Sequence, residues 1–302
     1  MNLLVVGSIG IDTVETPAAR RDNLLGGSAV YFSYAASYFT GVAIVGVVGQ
    51  DFPPEHRKLL EERNIDLAGL GTAPGKTFRW SGKYHKNMND RDTLDVQLNV
   101  FGEFVPTVPP SAAAADFVFL ANIVPAQQHK VLAQMKKRPR FVAADTMNLW
   151  IQNARADLDV LVRELDALVL NDSEARMYSG VHELLPAGRA IVAKGPKTVI
   201  IKKGEHGALV IAPDGNFCVP AYPLEAVVDP TGAGDSFAGG FMGYLAAQGT
   251  VTPAALRRAV AYGSVVASFT CQGFSLDALR KATRADIEAR FKELLEMARI
   301  PG

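Results

Sequence analysis

Hydrophobic and polar positions follow two rhythms along this chain. Short, wholly apolar runs at 3–6, 42–48, 117–120, 141–144, 167–170 and 199–201 predict strands buried on both faces. Between them, apolar residues recur at helical spacing, which predicts helices over 26–39, 55–64, 126–136, 154–164, 173–178 and 186–193. Beyond residue 229 the pattern is almost wholly helical, at 234–248, 253–269 and 284–297, the last closing with Pro301-Gly302. Strands alternating with helices argue for a three-layer α/β/α domain around a mostly parallel central sheet.

One region breaks the rhythm. Residues 77–104 alternate polar and apolar positions (Phe78, Trp80, then Leu94, Val96, Leu98, Val100), as antiparallel strands with one wet face do. Residues 9–25 also lack helix signals. Together they read as a β-sheet lid, or as an ordinary edge hairpin. The expectation is a single domain over 1–302 with lid segments at about 11–25 and 76–104 inserted in the α/β core.

Composition narrows the partners. A chain of 302 residues, 48% hydrophobic and 21% charged, can bury a full core. With 31 basic and 31 acidic residues, bulk charge draws it to neither nucleic acid nor a membrane surface. Cys218 and Cys271 form no metal-spaced pair, so a reducing, cytoplasmic setting is expected. The run at 3–6 is too short for a signal peptide and lacks a basic flank, and no stretch approaches a transmembrane length.

The most informative segment is Asp229-Pro-Thr-Gly-Ala-Gly-Asp235-Ser-Phe-Ala-Gly-Gly. It sets a Gly-Ala-Gly turn at the start of a long small-residue helix, where unpaired N–H groups and the macrodipole favour an anion. An acid beside an anion cradle makes chemical sense as a base that strips a proton from an alcohol while the amides hold a phosphoryl group. Plain helix capping by Asp229 and Asp235 is the bland alternative. Other polar residues also follow strands, where ligands of open parallel sheets bind: Asp12, Asp145 with Asn148, Asn171 with Glu174, and Lys203-Gly204. Asn171 and Glu174 suit the water shell of a magnesium ion, which needs few protein oxygens, although Asn171 also suits a helix cap. Asp12 with the Gly26-Gly27 backbone suits a hydroxylated acceptor, and a tight turn explains the two glycines equally well.

Other chemistries find little support. The five histidines lack zinc-site spacing, and no Gly-x-x-x-x-Gly-Lys-Ser/Thr occurs. Gly7-Ser-Ile-Gly10 lacks the third glycine of a dinucleotide site. The basic residues Arg79, Lys83, His85, Lys86 and Arg91 read as a solvated face or as a grip on phosphate.

These residues resemble the PfkB/ribokinase family of carbohydrate and nucleoside kinases over essentially the whole chain. Asp229 to Phe237 is similar to its C-terminal signature, and Gly26-Gly27 with Gly46-x-x-Gly49-x-Asp51 to its N-terminal one. Asn171-Asp-Ser-Glu174 resembles the Asn-x-x-Glu motif, and Lys203-Gly204-Glu-His-Gly207 the nucleotide-binding turn. The resemblance implies a ribokinase-like fold whose lid often mediates homodimers. It implies Asp235 as base, Gly232, Ala233 and Gly234 as the anion hole, and Asp12, Gly26 and Gly27 at the acceptor. It places Lys203, Gly204, Gly207, Thr231, Gly232 and Gly234 at ATP, Asn171 and Glu174 at magnesium through water, and a potassium ion near the Asp229 backbone. Lys202-Lys203-Gly204 departs from the family's usual Thr-Leu-Gly, the segment at 261–266 lacks a clear adenine-flanking Asn, and Asp145-Thr-Met-Asn-Leu-Trp150 names no substrate. The expected activity is ATP-dependent transfer of the γ-phosphoryl group to a hydroxyl of a sugar or sugar-like molecule. A nucleoside acceptor is the alternative, and a catalytically silent sugar sensor a further one.

Overall fold

Leu3, Leu4, Val5 and Val6 form strand β1 (Leu3–Val6), and all four side chains are fully buried. Period-two geometry sends Leu3 and Val5 into one hydrophobic layer and Leu4 and Val6 into the other. The computed structural model describes residues 2–63 and 65–300. Met1, the expected helix end at Asn64 and the closing Pro301-Gly302 lie outside the described residues.

The chain continues through β2 (Gly10–Glu15), β3 (Arg20–Gly26), α1 (Ser28–Ala36), β4 (Val42–Gly49), α2 (Pro54–Glu61) and β5 (Ile65–Ala73). Next come β6 (Phe78–Tyr84), β7 (Arg91–Gln97), β8 (Phe117–Leu120), α3 (Pro125–Ala133), β9 (Phe141–Asp145), α4 (Asn148–Asn153) and α5 (Arg155–Val162). Then follow β10 (Ala167–Asn171), α6 (Asp172–Ser179), α7 (Leu184–Val192), β11 (Thr198–Lys202), β12 (Ala208–Ile211) and β13 (Phe217–Val219). Four helices close the chain: α8 (Ala233–Gln248), α9 (Pro253–Thr270), α10 (Asp277–Lys281) and α11 (Arg284–Met297).

The nine-stranded sheet runs β13-β12-β11-β10-β9-β8-β1-β4-β5. It is parallel from β11 to β5, and the only antiparallel pairings are β11 with β12 and β12 with β13. Residues of α1, α8, α9 and α11 fill one layer, and residues of α3, α5, α6 and α7 the other. Strand order fans outward from β1 and β8, so the carboxyl ends of β1, β8, β9, β10 and β11 line one edge, where an open α/β sheet binds ligands.

Six elements differ from the expected ones for physical reasons. β5 is a half-exposed edge strand, so 65–73 shows no continuous apolar run. β12 and β13 are short and partly exposed. The first helix begins at Ser28 rather than 26, because Gly26 pairs with Gly10 in the lid and Gly27 takes a φ of 103° outside the helix. The short helices α4 and α10, of six and five residues, carry too few turns for a period to show.

The second sheet has the order β3-β2-β6-β7, with β2 and β6 parallel and both outer pairs antiparallel. Its base is pinned where the chain leaves the core. Asp51 Oδ1 accepts from the Thr77 amide at 2.6 Å and from its hydroxyl at 2.7 Å, while the Gly49 amide donates to Thr77 Oγ1 at 3.0 Å. The Gly49-x-Asp51 motif thus anchors the root of β6. Both cysteines are free thiols.

Candidate active site

The first turn of α8 is set by Gly232, its N-cap, at a φ of 75°. A Cβ there would lie 2.3 Å from the Tyr31 ring, so only glycine allows both the turn and this close approach. Asp229, fully buried, steadies the turn by accepting from the Thr231 amide at 2.8 Å, and the Ala233 amide donates to the Pro230 carbonyl at 3.1 Å. Asp235 then projects from the first helical turn.

Asp12, on β2, is buried and pairs with Leu24 of β3, and its carboxyl reaches diagonally over Gly26. Burial, then the neighbouring charges of Asp229 and Asp235, push its carboxyl up to about 8. That coupling gathers Asp12, Asp229 and Asp235, from three separate stretches of sequence, around one spot. Tyr31 lies against it too: burial and the charges of Asp12 and Asp229 raise its phenol well above the usual range.

A second acid group lies on the other side of Asp235. Asp145, at the end of β9, is buried, and its Oδ1 has no hydrogen-bond partner. Its carboxyl is raised well above the ordinary range by burial and by Asp235, against the pull of Lys202. Burial also raises Asp235, opposed first by Lys202 and then by Arg91. Glu174 is raised by burial and restrained chiefly by Lys202. Glu174 and Asn171 form a capping box for α6: Asn171 Oδ1 accepts from the Glu174 amide at 2.8 Å, and Glu174 Oε2 from the Asn171 amide at 2.7 Å. The cap reading of Asn171 therefore holds structurally, and Glu174 Oε1 takes no part in the capping box.

The turn after β11 is drawn tight where Lys203 donates its amide to the Gly207 carbonyl at 2.7 Å and Gly207 donates to Gly204 at 3.1 Å. The tip of the β6–β7 hairpin reaches this turn: Asn89 Nδ2 donates to Glu205 Oε1 at 3.5 Å, and a Cβ on Gly204 would meet Asn89 Oδ1 at 2.9 Å. At the tip's base, Thr231 donates its hydroxyl to Tyr84 Oη at 3.2 Å. The lid's basic residues divide. Arg79 pairs with Asp51, Lys83 with Glu15 and His85 with Asp92, whereas Arg91 bears on Asp235 and Glu174.

Three features escaped the sequence reading. Lys202 stood out only as a departure from a motif, yet its side chain enters the site. Asp145 was noted as a strand-end acid without a role. Asn122 follows β8 and accepts from Trp150 Nε1 at 2.7 Å, while its own amide donates to Met147 Sδ at 3.2 Å. Only the topology, which places β8 beside β9, brings these three residues together.

Among the described residues no helix is long and apolar enough to cross a membrane, and no three His, Cys, Asp or Glu side chains are grouped to hold a metal directly. A magnesium ion here would be held largely through water and phosphate oxygens, for which the unpartnered Asp145 Oδ1 is suited.

The chain is 33% identical over 248 residues to a cytidine kinase of Thermococcus kodakarensis, spanning 80% of this chain and 87% of that one. Its fold matches a Burkholderia thailandensis nucleoside kinase in complex with inosine (TM-score 0.79, 21% identity, 97% of this chain and 98% of that one). It matches equally a protein of Escherichia coli described as a Ribokinase II in complex with ATP and Mg2+ (TM-score 0.79, 19% identity, 97% and 99%). The family described as pfkB family carbohydrate kinase matches residues 3–281. The family match covers nearly the whole chain, and this chain is therefore a phosphotransferase that belongs to the PfkB family of sugar and nucleoside kinases.

Proposed function

We propose that this PfkB kinase transfers the γ-phosphoryl group of ATP to a primary hydroxyl of a nucleoside. The observation that carries the acceptor class is Trp150 on α4, whose indole donates to Asn122, just beyond the carboxyl end of β8. A fixed aromatic plane with a neighbouring amide suits a heterocyclic base, whereas a free sugar has no flat face to stack. The cytidine kinase relative supports the same reading.

In this reading Asp12 accepts from the acceptor's sugar hydroxyls and Asp235 takes the proton of the hydroxyl that attacks. The α8 first-turn amides stabilise charge on the transferring group. Lys203, Gly204 and Gly207 cradle the nucleotide. Asn171, Glu174 and Asp145 would hold the water shell of magnesium, which supplies charge neutralisation to the phosphates when bound. Asp229 Oδ2, buried and without a partner, suits a neighbouring potassium ion. Lid closure keeps water from the phosphoryl group. Leu94 and Val96 of edge strand β7, with Leu98 just beyond it, are about half exposed, an apolar row suited to the lid of a second copy in a homodimer.

The test is ADP release with Mg-ATP across nucleosides, ribose, hexoses and sugar phosphates, with Asp235→Asn as blank. Turnover of a nucleoside that Trp150→Ala weakens through KM supports the reading. Turnover of free sugars alone, insensitive to Trp150, overturns it.

A further inference from the structure

Lys202 ends β11 in register with Asn171, and its side chain crosses to the first turn of α8. Its Nζ lies 2.8 Å from where a Cβ on Gly234 would stand. This is an adverse place for a cation. The helix N-terminus carries roughly half a positive charge of its own, and like signs repel there. Among the described residues Lys202 forms no ion pair within 4.0 Å, although Asp145, Glu174 and Asp235 all feel its charge. An ammonium held against a positive helix end, and held off from three acids, marks a space where an anion would touch both at once.

We propose that Lys202 is a catalytic residue that grips the terminal phosphoryl group of the nucleotide together with the α8 amides. In the transfer, the bond from the γ-phosphorus to the bridging oxygen breaks and its electron pair leaves with ADP. A new bond forms from the acceptor oxygen to phosphorus, and the acceptor's proton passes to Asp235. Lys202 stays protonated throughout and offsets negative charge on the oxygens in flight. The role differs from that of Lys203, whose backbone amide closes the turn onto the Gly207 carbonyl.

The inference rests on the kinase reading and not on the acceptor, so its test uses nucleotides alone. Calorimetry with Mg-AMP-PNP and Mg-ADP, on wild type, Lys202→Met and Lys202→Arg, separates the terminal phosphoryl from the rest of the nucleotide. The expected result is a loss of about tenfold or more in AMP-PNP affinity for Lys202→Met, as removal of a charged hydrogen bond implies, with ADP affinity within about twofold and partial rescue by Lys202→Arg. Lys202→Gln, which keeps a polar tip, serves if the Met variant melts early. Equal losses for both nucleotides, or no loss for either, would overturn the proposal.

Discussion

Asp12 occupies the space that a side chain on Gly26 would need: a Cβ there would fall 1.9 Å from Asp12 Oδ2. The two residues are therefore one device, an acid seated in the gap left by a missing methyl. Gly26→Ala should displace the carboxyl and raise the acceptor KM by roughly two- to tenfold while the ATP KM stays unchanged, as loss of one uncharged hydrogen bond implies. Steady-state kinetics with each substrate varied in turn checks this, and an equal rise in both constants would place Asp12 elsewhere in the reaction.

The same acid predicts a pH effect. Its carboxyl stands at about 8 in the folded chain against an ordinary 3.8, so between those values the folded state binds the extra proton. Stability from this group is then present at low pH and lost as pH rises towards the folded value. Asp12→Asn removes the penalty, so melting curves should show a larger gain in Tm at about pH 8 than at about pH 5. A gain independent of pH would contradict the shift.

Asp235→Asn should lower kcat by about three orders of magnitude, within the range known for general bases. Calorimetry should still detect nucleotide binding. Near wild-type ADP release by this variant would remove Asp235 from the role of base.

Gly232→Val tests the turn. The new side chain would meet the Tyr31 ring at 2.3 Å and must also adopt a φ of 75°, a conformation that costs a non-glycine residue about 1–2 kcal/mol. Both Tm and kcat should fall. A fall in Tm with kcat intact would mean the turn is structural and the phosphoryl group is held elsewhere.

The sequence carried the architecture because buried parallel strands write continuous apolar runs, as 117–120 and 167–170 do. It hid β5 because an edge strand is wet on one side and its pattern blurs into loop. At the site, Asp235 and Gly232 were legible because a single local segment holds both. Lys202 and Asn122 were not, since each acquires its meaning from a residue distant in sequence: Gly234 for the first, Trp150 for the second. Asn171 and Glu174 showed the opposite difficulty, a motif whose local capping geometry and expected metal role use the same atoms.

The β6–β7 hairpin touches Thr231 through Tyr84 and the Gly204–Glu205 turn through Asn89. One hairpin thus contacts both the α8 turn and the turn after β11. In the proposed reaction donor and acceptor would then share a single door: neither product would leave before that hairpin lifts, and a turnover would run through a complex holding both substrates. Double-reciprocal plots that intersect would bear the signature of this arrangement, and the opening rate of a six-residue tip, more than the chemistry beneath it, would set the pace of the whole cycle.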